Sequence, residues 1–117
     1  MQSSSLTLSA AEKFVDQYYG GFTKSSGKYY QPTTKVMWNG NGFSGDQFKT
    51  QILSRLQSQV TDFEVTGYDA HPLGDGPILI SVSGTVKVDR KERFTQVFVI
   101  EKSGSLTYIQ SDCFRIV

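Results

Sequence analysis

The feature that most constrains this chain is the strict two-residue alternation that runs from Asp62 almost to the C-terminus. The segment ILISVSGTVKV (78–88) sets Ile78, Ile80, Val82, Gly84, Val86 and Val88 on one face and Leu79, Ser81, Ser83, Thr85 and Lys87 on the other. A period of two belongs to β-strands, because successive side chains leave opposite faces. Residues 63–72 precede this strand, and ERFTQVFVIEK and LTYIQSDCFRIV follow it. Turns at Gly74–Pro77, Asp89–Lys91 and Ser103-Gly104 join the four, so the second half of the chain is a series of hairpin-linked, antiparallel strands.

The first half has a different period. Ala11, Phe14, Val15, Tyr18 and Phe22 recur at three- and four-residue spacing and form one apolar helix face. Ser9-Ala10-Ala11-Glu12 reads as a capping box that starts this helix, leaving residues 1–8 as a flexible arm and 9–117 as the domain. Gly20-Gly21 weakens its end. Thr23–Pro32 is a short helix or loop. The stretch VMWNGNGFSG (36–45) places the only tryptophan, Trp38, directly before Asn-Gly, the strongest short-range hairpin signal. A second capping box, Ser44–Gln47, opens a helix whose face is Phe48, Ile52, Leu53 and Leu56 and which ends near Gln59. Helices followed by a run of strands make an α+β fold, with the helices on one face of the sheet. At 117 residues the chain is one domain with a real core.

That plan leaves the other sheet face to be explained. Phe94, Gln96, Phe98 and Ile100, with Tyr108, Gln110, Asp112, Phe114 and Ile116, must face the helices. The opposite face then carries Leu79, Ser81 and Ser83; Thr95, Val97 and Val99; and Ile109, Ser111, Cys113 and Arg115. Asp69 and His71 share it if their strand is regular. A solvated sheet face is usually charged, and charge depletion marks the core of an interface. The expectation is a protein partner on this face.

The composition excludes much else. A formal charge of +1 gives no electrostatic case for nucleic acid or an anionic membrane. No apolar run approaches the roughly 18 residues of a membrane span. The start, MQSSSLTLS, does not read as a secretory signal. A single cysteine, Cys113, cannot form an internal disulfide and suits a reducing compartment. One Cys and one His do not supply a metal site, and no cofactor is implied. No acid–base dyad emerges: His71 and Asp112 belong to opposite faces. KVDRKER (87–93) reads as a solvated hairpin tip.

The order of elements, with FVDQYY (14–19), WNGN followed by SG (38–45), the Asp-x-x-Pro of DAHP (69–72) and SDCFR (111–115), resembles the nuclear transport factor 2 family. Within it the chain is most similar to the small subunits of mRNA export receptor heterodimers. The resemblance implies a cone: a curved antiparallel sheet wrapped around a long N-terminal helix, with Tyr18, Trp38, Asp112 and Phe114 lining its cavity. It implies a larger partner of the TAP type, whose like-folded domain packs sheet to sheet and offers an arginine to Asp69. Phenylalanine-glycine repeats of the nuclear pore would be met mainly through that partner, with the protein shuttling between nucleus and cytoplasm. The alternatives within the fold are a homodimeric Ran-GDP import carrier and a small-molecule isomerase or dehydratase. Ran carriers have a glutamate directly after the first-hairpin tryptophan, where this chain has Asn39. They also have two acids at the turn where it has Asp89 and Lys91.

Overall fold

The computed structural model describes the backbone of residues 2–117 and the side chains of residues 7–117. Helix α1 spans Gln2–Gly20, and a short α2, Phe22–Ser25, is followed by a 3₁₀ turn at Ser26–Tyr29. Strands β1 (Tyr30–Trp38) and β2 (Asn41–Ser44) form a hairpin. A helical stretch comes next: α3 (Gly45–Phe48), a π-turn (Lys49–Leu53) and α4 (Ser54–Gln59). Four long strands complete the chain: β3 (Asp62–Pro72), β4 (Ile78–Lys87), β5 (Lys91–Ser103) and β6 (Leu106–Ile116).

The α+β class and the periods hold. Ala11, Phe14, Val15 and Tyr18 of α1 and Phe22 of α2 are all buried in the core. The second capping box forms: Gln47 N–H donates to Ser44 Oγ (3.2 Å) and Ser44 N–H to Gln47 Oε1 (3.0 Å). The first does not. α1 runs uninterrupted through Ser9, and its first turns are Gln2–Leu8; Met1 lies outside the described residues. Residues 2–8 contain neither glycine nor proline, so nothing in them stops a helix once α1 has nucleated against the core.

Strand order is β2-β1-β6-β5-β4-β3. The expected all-antiparallel sheet is therefore corrected to a mixed one, because β1 runs parallel to β6, with Trp38 opposite Phe114. β1 begins at Tyr30, well before the hairpin stretch that announced it, and the helices after β2 carry the chain to the opposite edge of the sheet, where β3 begins. Two β-bulges break the regular alternation. One lies between Val65 and Gly67 on β3, where Thr66 is the extra residue, and the other on β6, where Gln110 is extra between Ile109 and Ser111. Each bulge reverses the side-chain parity of its strand.

An aromatic ladder fills the wide end of the cone. Trp38 stacks on Phe114 at 4.0 Å between centroids and 8° between planes, and Phe114 stacks on Phe94 at 5.3 Å and 19°. Phe94 then meets Phe63 edge-on. Phe94 passes across Gly84, where any side chain would meet the Glu64 carbonyl oxygen at 2.2 Å. Only glycine allows β3 and the Phe94 ring to approach β4 so closely. The hairpin turn itself uses Asn39 (φ 49°) and Gly40 (φ 87°), the left-handed pair that a two-residue turn demands.

Candidate functional site

Two features of the fold carry chemistry: the sheet face that no helix covers, and a buried carboxylate beneath it.

The uncovered face is a regular lattice. Register places Asp69, Ser81, Val97, Cys113 and Met37 in one row across β3, β4, β5, β6 and β1. The adjacent row is His71, Leu79, Val99, Ser111 and Lys35, and Gly67, Ser83, Thr95 and Arg115 make a third. Eleven of the residues expected on a partner face thus share it, while Ile109 does not. The bulge at Gln110 turns Ile109 inward, opposite Ile100, and it is 0% exposed in the core. The β3 bulge acts the other way. Phe63 and Val65 pack on the core, and without the extra Thr66 the same parity would carry Asp69 and His71 inward. Met37, 44% exposed beside Cys113, belongs to the face and was not anticipated. The signal was present, because Met37 precedes the inward Trp38 and must point outward. Between Asp69 and the basic residues of β1 and β6, the middle of this face holds only Ser, Thr, Val, Leu, Cys and Met.

The carboxylate is Asp112, buried on the other side of β6. Its Oδ2 accepts from the Tyr30 hydroxyl (2.5 Å) and its Oδ1 from Gln96 Nε2 (2.8 Å). The Tyr18 and Tyr30 hydroxyls lie 2.7 Å apart, and Tyr19 O–H donates to Gln96 Oε1 (2.7 Å). Five side chains from α1, β1, β5 and β6 therefore satisfy one another away from water. Burial pushes the Asp112 carboxyl up from 3.8 to about 6, although the Tyr30 and Gln96 hydrogen bonds pull the other way. Burial, with the nearby Asp112 charge, raises the Tyr18 and Tyr30 hydroxyls well above 10.

This placement corrects the expected cavity. Trp38 and Phe114 do border a pocket of about 160 Å³ at the cone mouth, with Leu56, Val60, Phe63, Val86 and Ile116. Tyr18 and Asp112 do not line it: both are buried in the core. A proton-transfer reaction would need Asp112 to reach a substrate, whereas Asp112 is buried and both its oxygens are hydrogen-bonded, to Tyr30 and Gln96. Among the described residues no group of three or more His, Cys, Asp or Glu side chains converges to hold a metal ion.

The raised Asp112 value makes a stability prediction. The folded state holds the proton more tightly than the unfolded chain, so this contribution is complete below about pH 4 and is lost as pH rises through about 6. Asp112→Asn removes the titration and leaves every other group in place. The stability of wild type relative to Asp112→Asn should fall by about 3 kcal/mol between pH 3.5 and pH 7. Urea unfolding of both proteins across that range measures it, and parallel curves would show that Asp112 does not titrate this way.

Residues 10–116 match the nuclear transport factor 2 (NTF2) domain. Over 121 residues the chain is 32% identical to NTF2-related export protein 1 of Bos taurus, covering 91% of this chain and 85% of the relative. It is 26% identical over 117 residues to nuclear transport factor 2 of Dictyostelium discoideum, covering 94% of this chain and 92% of the relative. The solved structure of nuclear transport factor 2 from Cryptosporidium parvum aligns with a TM-score of 0.75 at 28% identity, over 92% of this chain and 91% of that one.

Proposed function

Because the chain belongs to the nuclear transport factor 2 family, we propose that it is the small, non-enzymatic subunit of a heterodimeric nuclear mRNA export receptor. Its task is to complete and stabilise the like-folded domain of a larger, TAP-like subunit. The observation that carries this reading is the row Ser81–Val97–Cys113–Met37, a charge-free strip at the centre of a sheet face that no helix among the described residues covers. Apolar and small side chains in register, with charges only at the sides, suit a second sheet better than water. An obligate contact of this kind buries on the order of 2,000 Å² or more. The relatives are named as transport factors, and an export protein is the more similar of the two compared above. In this reading the heterodimer shuttles between nucleus and cytoplasm, with the pore's phenylalanine-glycine repeats contacting mainly the larger subunit.

The competing reading is a Ran-GDP import carrier, and two residues speak against it. Where resemblance to the carriers calls for a glutamate, Asn39 adopts φ 49° in the turn and accepts from the Ile116 N–H through Oδ1 (2.8 Å). Where it calls for a second acid, Lys91 puts a cation, 3.9 Å from Glu64. A surface meant for lysines loses attraction and gains repulsion by these changes. Calorimetric titration of the purified chain with Ran-GDP should give no saturable heat, under conditions where a nuclear transport factor 2 carrier binds. Saturable binding that disappeared in Asp89→Lys would favour the carrier instead.

A further inference from the structure

In its three central rows the uncovered face is electrically polar from one side to the other, with Asp69 on β3 and the bases Arg115 on β6 and Lys35 on β1. Beyond those rows the charges are mixed: Asp62 and Glu64 on β3 stand beside Lys87 on β4 and Lys91 and Arg93 on β5, and Glu101 at the far end of β5 is held by Tyr108 and Gln110. Lys35 is exposed and pairs in register with Ser111 on one side and Ser44 on the other. Its ammonium makes no hydrogen bond or ion pair with any described residue, and the only ion pair among them joins Lys91 to Glu64. Nor can Asp69 neutralise it. Four interstrand steps separate β3 from β1, about 19 Å at the usual spacing, which is roughly two screening lengths in physiological salt.

Lys35 is also not an edge residue, because β2 lies outside β1. A sheet laid over the row from Asp69 to Met37 lies beside it, since Lys35 neighbours Met37 on the same strand face. Covering an ammonium without a counter-charge is costly, so the partner must answer it. Resting on the heterodimer reading above, we propose that Lys35 is a second charge anchor of the interface and that the partner's sheet presents a carboxylate to it. With a basic group over Asp69 and an acidic group over Lys35, the partner can dock in one orientation only. In-plane reversal would set like charges over both ends.

The test uses the full chain and the nuclear transport factor 2-like domain of the larger receptor subunit from the same source. Binding of wild type, Lys35→Gln, Lys35→Glu and Val97→Glu is titrated at low and high salt, after each variant is shown to unfold like wild type. Lys35→Glu should weaken binding at least about tenfold at low salt and less at high salt, with Lys35→Gln between it and wild type. If Lys35→Glu and Lys35→Gln bind like wild type while Val97→Glu does not, the second anchor is wrong and the face remains the interface. If Val97→Glu also binds like wild type, or wild type fails to bind that domain, the heterodimer reading itself falls.

Discussion

Val97→Glu should abolish binding to the larger subunit while leaving the chain folded. Val97 sits at the middle of the central row, between Ser81 and Cys113, on an interior strand of the sheet. Its half-buried side chain points away from the core that Gln96 and Phe98 enter, between the exposed Ser81 and Cys113, so a longer polar side chain can reach solvent in the free protein. Surface changes of that kind usually alter stability by less than about 0.5 kcal/mol. In the complex the same carboxylate would be stripped of water with no partner. A penalty of at least about 4 kcal/mol, roughly a thousandfold in Kd, follows. Val97→Thr keeps the volume without the charge and should lose far less. Size-exclusion chromatography of each variant mixed with the partner domain, beside thermal unfolding of the variant alone, separates loss of binding from loss of fold.

The second large effect is expected at Asp69. It is exposed on edge strand β3, opposite Ser81, and its carboxylate forms no hydrogen bond or ion pair with any described residue. Resemblance to the export subunits puts a partner arginine there, whose planar fork can hold both carboxylate oxygens. Asp69→Arg would set two guanidinium groups together. Removing one member of such a buried pair typically costs about 3–5 kcal/mol, a hundredfold or more in affinity, and reversal should cost at least that. Asp69→Asn keeps the shape and should be milder. A partner carrying Arg→Asp at the matching position should recover binding to Asp69→Arg and not to wild type. Normal binding of Asp69→Arg to the unaltered partner would reduce Asp69 to a surface acid.

The fold was legible wherever local periodicity decides it. The buried helical face from Ala11 to Phe22, the Ser44–Gln47 cap, the inward set of β4 and the turns at Gly74–Pro77 and Ser103-Gly104 follow from spacing and turn chemistry alone. The parallel pairing of β1 with β6 did not, because it joins segments far apart in the chain and depends on tertiary packing. Bulges were the other blind spot. An extra residue costs nothing visible in composition, yet it inverts every side chain beyond it. Gln110 sent Ile109 into the core in this way, with no glycine or proline nearby to warn of it. On β3 Gly67 was a cue, and its bulge turns Asp69 outward where a regular strand would have buried it. That Asp112 faces inward was legible from the alternation of its strand. That Tyr30 and Gln96 satisfy its carboxylate required the register of the strands and the position of α1.

The central claim is that the uncovered face receives the like-folded domain of a larger export receptor subunit. It is tested most directly by capturing the tagged full chain from its native source, beside Val97→Glu, and identifying what each retains. The wild type should retain one larger protein with its own nuclear transport factor 2-like domain, in a one-to-one ratio, and Val97→Glu should lose it. Recovery of Ran with GDP instead, or retention of the larger protein by Val97→Glu at the wild-type level, would contradict the account.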